Sequence, residues 1–169
     1  DSCGERAEPA PGLLVSAALV YAGTGIFQPL WWATWLAPLP VLLIAPRVPG
    51  LAAFGIAASA WFLGSLNIWR YLWNILAPMG PHSSQATLTV IAIAVLILAI
   101  PAIAFGVAVV LSRFFLRRGA LLRAAFVFPA LWVAYEFLAE IGSPHSTFGN
   151  LGYSQMDMLP LVQIASLTG

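Results

Sequence analysis

The chain has 169 residues, of which 61% are hydrophobic and 8% charged, with a formal net charge of +1. A soluble domain carries about 25% charged residues, so this chain cannot clothe itself in a solvated surface, and its mean hydropathy of +0.92 places it among integral membrane proteins. Seven Arg and no Lys, spread thinly, form no basic stripe and exclude a nucleic-acid partner, and a single Cys excludes an internal disulfide.

In chain order, residues 1–12 read as a polar tail with Glu5, Arg6 and Glu8. Cys3, in Asp-Ser-Cys-Gly-Glu-Arg, follows no apolar stretch, so it reads as a tail cysteine rather than a lipid-attachment site. No charge occurs from Pro9 to Pro46, a stretch too long for one helix and punctuated by Gly23-Thr24-Gly25 and Pro29. Two short spans are predicted, 13–27 and 31–45, each below the usual ~20 residues, either a thinned hairpin or a dip from one side. Trp31, Trp32 and Trp35 fit an interfacial anchor. Pro38 and Pro40 are expected to bend the second span, leaving carbonyls for neighbouring helices to satisfy.

A third span is predicted over 51–69, with Gly55 and Ser59 a small-residue pair at helical spacing, a weak signal for helix approach. Arg70, among Trp69, Tyr71 and Trp73, has two readings: a contact to a lipid phosphate, or an interfacial side chain snorkelling to water, which is the stronger. His82 sits in a polar loop with no second ligand at metal-site spacing. The fourth span, 87–111, is an unbroken Ile, Val, Ala and Leu run with Pro101 as a kink, and Arg113, Arg117, Arg118 and Arg123 follow it. The fifth span, 121–141, carries Glu136 and Glu140 on one helical face. A paired acid/base role is possible in principle, but polar residues facing the bundle or the interface are the stronger reading.

The expected architecture is all-α: a polytopic transmembrane helix bundle of about five spans plus a truncated sixth that begins at 159–169. Basic residues beside spans mark the cytoplasmic side. Arg6, Arg47 and the 113–123 cluster agree on one orientation, with the amino terminus inside and the 142–159 loop outside.

That loop, Ser-Pro-His-Ser-Thr-Phe-Gly-Asn-Leu-Gly-Tyr-Ser-Gln over 143–155, is the least apolar part of the chain. Gly142, Gly149 and Gly152 read as permitting tight turns and close approach of a ligand or domain. Asn150, Tyr153, Ser154 and Gln155 offer hydrogen bonds, and Tyr153 suits an interface with its apolar ring and polar tip. Asp157 reads as the cap of a following helix with Pro160 in its first turn. His145 can serve as a base or headgroup contact, but a single His without an orienting carboxylate is more often structural.

Gly149-Asn-Leu-Gly-Tyr-Ser-Gln155, followed by Asp157 and a Leu-Pro-led apolar run, resembles the apolipoprotein N-acyltransferases, bacterial membrane enzymes that add a third acyl chain to lipoproteins. Trp-Leu-Ala-Pro-Leu-Pro at 35–40, Phe-Leu-Gly-Ser-Leu-Asn-Ile-Trp at 62–69 and Pro-Ala-Leu-Trp-Val-Ala-Tyr-Glu-Phe at 129–137 resemble other parts of that family less specifically. The chain departs from the family pattern where Ala139 and Glu140 replace an Arg, and where Pro144 to Gly149 replaces Phe-Pro-Trp. The resemblance implies eight spans and a periplasmic nitrilase-like α/β domain with a Glu, Lys and Cys constellation, the Cys carrying the acyl chain as a thioester. No residue here matches those three, so no catalytic residue is assigned in this chain.

The expected function is therefore that of the membrane part of such an enzyme, in the bacterial inner membrane, anchoring the catalytic domain and guiding lipid. The expected partners are a phospholipid acyl donor, a lipoprotein acceptor and membrane lipids, with no cofactor and no metal. The residues expected to line the lipid path are Asn150, Tyr153, Gln155, His145 and Arg70. A membrane-tethered nitrilase-type hydrolase is one alternative. A membrane scaffold or small transporter is another, and the absence of charge inside the first four spans counts against it. The chain opens on Asp1 and stops partway into an apolar run, so it is expected to be part of a longer protein.

Overall fold

A computed structural model describes residues 9–25, 29–76, 78, 84–142, 150–160 and 163; among them the backbone is helical apart from short turns, without strands. In hydrocarbon a helix satisfies its own backbone polar groups, which is why so apolar a chain folds this way. The helices are α1 (Pro9–Gly23), α2 (Trp31–Leu36), α3 (Pro38–Ile44), α4 (Gly50–Gly64), α5 (Trp69–Leu76), α6 (Ser84–Leu116) and α7 (Leu121–Gly142). Three stretches are long and apolar enough to cross a membrane: Gly50–Leu76, Thr87–Leu116 and Leu121–Gly142.

Several element bounds differ from expectation. Helix α1 occupies Pro9–Gly23 rather than 13–27. It begins inside the predicted tail because Pro, lacking an N–H, suits a first helical position. Its end is closed by three bonds to terminal carbonyls: Thr24 Oγ1 donates to Val20 O (2.7 Å), Asn67 Nδ2 to Tyr21 O (2.7 Å) and Leu30 N to Ala22 O (2.9 Å). The predicted second span is two helices, α2 and α3, joined at Ala37, whose dihedrals stay right-handed (φ −54°, ψ −38°). A neighbouring helix supplies a polar contact where α2 meets α3: buried Ser16 Oγ donates to Ala37 O at 2.6 Å. The third span runs past Trp69 to Leu76, since a 3-10 turn over Ser65–Ile68 carries α4 into α5 without a break.

Packing follows the order α2/α3, α1, α4, α6, α7. The inward residues are small: Ala17, Ala53, Ala57, Ala60, Ala102 and Ala108 are buried. Glycines set four close approaches among the described residues: Gly64 of α4 against Val20 and the Ala17 carbonyl of α1, Gly106 of α6 against Phe54 of α4, and Gly12 and Gly23 of α1 against Ile44 of α3 and Thr34 of α2. The Gly55 and Ser59 pair plays no such part: both are exposed and a Cβ at Gly55 would meet nothing within 4 Å. Large apolar residues such as Leu43, Leu51, Leu122 and Phe126 point outward, the distribution expected where lipid is as apolar as the interior.

Aromatic rings join α4, α6 and α7. Trp61 lies 4.3 Å from Trp132 and 4.9 Å from Phe105, centroid to centroid, and Phe105 meets Phe128 edge-on at 5.4 Å. At the basic end, Arg113 does more than face the membrane surface. Its Nε donates to Ala45 O (2.8 Å) and its Nη2 to Val48 O (2.7 Å), closing the carbonyl end of α3.

Candidate functional site

The polar loop after α7 is described from Asn150 onward; His145 and Gly149 lie outside the described residues. Asn150 is extended (φ −63°, ψ 149°) and leads into a 3-10 turn over Leu151–Gln155. Tyr153 N donates to Asn150 O (3.0 Å) and Met158 N to Gln155 O (2.8 Å), and Ser154 Oγ donates to Leu151 O (2.6 Å). Asp157 is exposed in the following turn, and helical backbone resumes at Leu159 and Pro160. Pro160 thus stands in the first turn as expected, while Met158, not Asp157, is the residue next to the helix start.

Two anchors hold this turn. The first is Gln155, whose amide is bonded on both sides to α2. Trp35 Nε1 donates to Gln155 Oε1 (3.0 Å), while Gln155 Nε2 donates to Thr34 Oγ1 (2.9 Å) and Trp31 O (3.1 Å). The second is Glu136 of α7, whose Oε1 accepts from the backbone N of Leu151 (2.6 Å) and from Trp132 Nε1 (3.0 Å). The loop therefore runs from α7, at one end of the packing order, to α2, at the other.

The structure sorts the sequence candidates. Gln155 is half-buried and its amide is committed to α2, so it fastens the loop. Tyr153 is 47% exposed, and Asn150, at the start of the turn, is half-buried. Gly152 is exposed inside the 3-10 turn, and a Cβ there would meet nothing within 4 Å. The same open space surrounds Gly142, so the expected close approach at these glycines has no counterpart among the described residues. Ser154 is buried, and its hydroxyl donates to Leu151 O and accepts from Gln155 Nε2. Arg70 is exposed in a different place, in a shallow apolar recess of about 340 Å³ with Trp69, Trp73 and Ile91.

Glu136, read from the sequence as a polar residue facing the bundle or the interface, is joined to Trp132, which sequence reasoning did not single out. They are four apart on one face of α7, and the expected partner on that face, Glu140, is not part of the cluster. The legible signal was the pairing of an indole donor with a carboxylate at helical spacing. Chemically the arrangement is a polar fastening with an exposed Tyr ring, and among the described residues no three His, Cys, Asp or Glu gather to hold a metal.

A family model, the apolipoprotein N-acyltransferase N-terminal domain, matches residues 12–169. The chain belongs to that family. The match takes in α1 from Gly12 onward, α2 to α7 and the anchored loop. No curated protein and no solved structure matches the chain.

Proposed function

We propose that this domain is the membrane part of an enzyme that transfers an acyl chain from phospholipid to the amino terminus of lipoproteins, and that its loop at 142–159 lines the path of the lipid substrates. The observation that carries this is family membership over 12–169 together with a loop anchored at both ends, which holds Tyr153 and Asn150 at one end of the bundle. A rigid amphipathic ring beside a hydrogen-bonding amide suits the boundary between acyl chain and headgroup. The loop end faces the periplasm and the Arg end the cytoplasm of the bacterial inner membrane. Arg113 bonding to Ala45 and Val48, with exposed Arg47 beside them, supports one shared basic end. Arg70, in its recess with two Trp, is a snorkelling residue rather than part of this path.

The test is complementation. The full-length protein, expressed in a bacterium depleted of its own lipoprotein N-acyltransferase, restores triacylated lipoprotein, read by mass spectrometry of the lipoprotein amino terminus. Tyr153→Ala and Asn150→Ala raise the KM for phospholipid. Absence of triacylated product overturns the reaction, and wild-type kinetics in both variants overturn the role of the loop.

A further inference from the structure

We propose that Glu136 is the positioning residue of the loop: from α7 it caps the 3-10 turn at Leu151–Gln155 and so sets where Asn150 and Tyr153 stand. This rests on the reading of that loop as the lipid path.

A carboxylate near the end of a membrane helix is costly unless its charge is hydrogen-bonded. Here two donors converge on one oxygen, Trp132 Nε1 at 3.0 Å and Leu151 N at 2.6 Å. The first N–H groups of any helical turn lack a partner inside it, and the residue placed to cap this one, Asn150, makes no side-chain cap bond. Glu136 supplies the missing acceptor from another element, fifteen residues away in sequence.

The carboxylate is itself held still. Its second donor, the Trp132 indole, is buried and packed at a tilt against Trp61 at 4.3 Å and Tyr135 at 5.4 Å, with Phe105 edge-on at 6.0 Å. The position of the loop is thus transmitted from the aromatic core through Trp132 and Glu136 to the Leu151 amide. Since the cap comes from α7, the Asn150 amide is left out of it and stays with the surface the loop presents. Gln155 fastens the other end of the turn to α2, and its bonds leave the N–H at the start of the turn to Glu136. Glu136 touches no substrate in this account; it acts through the loop.

The experiment uses the full-length protein in nanodiscs, with two readouts on Glu136→Ala and Glu136→Gln. One is amide hydrogen exchange of the peptide containing 151–155, and the other is kcat and KM for phospholipid. Glu136→Ala is expected to raise exchange about tenfold, the size of effect that losing one strong local bond has on local opening, and to raise KM with little change in kcat. Glu136→Gln keeps an acceptor oxygen and is expected to restore both. Unchanged exchange in Glu136→Ala overturns the positioning role. Raised exchange with wild-type kinetics leaves Glu136 as the cap and overturns the reading of the loop as the lipid path. Where Glu136→Ala does not fold, Leu151→Pro removes the N–H from the loop side at a position that tolerates Pro. Wild-type KM in Leu151→Pro likewise overturns the reading of the loop as the lipid path.

Discussion

Two indole N–H groups hold the loop, and each can be deleted alone. Trp35→Phe keeps an aromatic side chain and removes the N–H that donates to Gln155 Oε1, along with the pyrrole part of a mostly exposed indole. The expected loss is about 0.5–1.5 kcal/mol, the net worth of one hydrogen bond, read from denaturant unfolding in detergent. Gln155→Glu is expected to cost more than Trp35→Phe in the same assay. It keeps an acceptor for Trp35 but sets a carboxylate oxygen against the Trp31 carbonyl, where Nε2 now donates. Equal effects of the two substitutions would show that Nε2 contributes nothing. The amide character of Gln155 was visible in the sequence, but its direction was not. A residue at a loop surface can face lipid or protein, and only the placement of α2 beside the turn decides between them.

At the scale of elements, glycine has three different meanings here. Gly119 (φ +71°) follows α6, with its N–H bonded to Leu116 O (3.0 Å) and the Ala120 N–H to Phe115 O (3.1 Å). This pair of bonds ends a helix through a left-handed residue, and Gly119→Ala is expected to destabilise by about 1 kcal/mol. Gly64 needs the absence of a side chain, because a Cβ would drive into Val20 and the Ala17 carbonyl of α1. Gly64→Ala separates those helices at a cost of about 1–3 kcal/mol, as for overpacking elsewhere. Gly55 needs neither, and Gly55→Ala is expected to be neutral or stabilising by up to about 1 kcal/mol. Thermal unfolding of the three variants side by side checks the ranking, which sequence spacing alone would have inverted by favouring Gly55.

For the whole molecule, the bundle is a row of helices whose two ends are tied together by the loop from α7 to α2. The proposed orientation is checked by replacing Cys3 with Ser and placing single cysteines at Arg117 and Tyr153, both exposed. In intact cells a membrane-impermeant thiol reagent is expected to label the Tyr153→Cys protein and to spare the Arg117→Cys protein; labelling of Arg117→Cys would reverse the topology. Low charge, long apolar runs and the Gly-Asn-Leu-Gly-Tyr-Ser-Gln loop carry, by themselves, the membrane setting, the all-α class, the approximate places of the third to fifth spans and the family. They do so because hydrocarbon admits helices whose length is set by its thickness. Only the tertiary structure decided which face of each helix turns inward, which glycine is a crossing point, and that Glu136 bonds the backbone of the loop. When lipid and protein interior are equally apolar, the alternation that marks an inner face in a soluble helix is absent. The pairing of polar groups between distant helices then becomes readable only once the helices are in place.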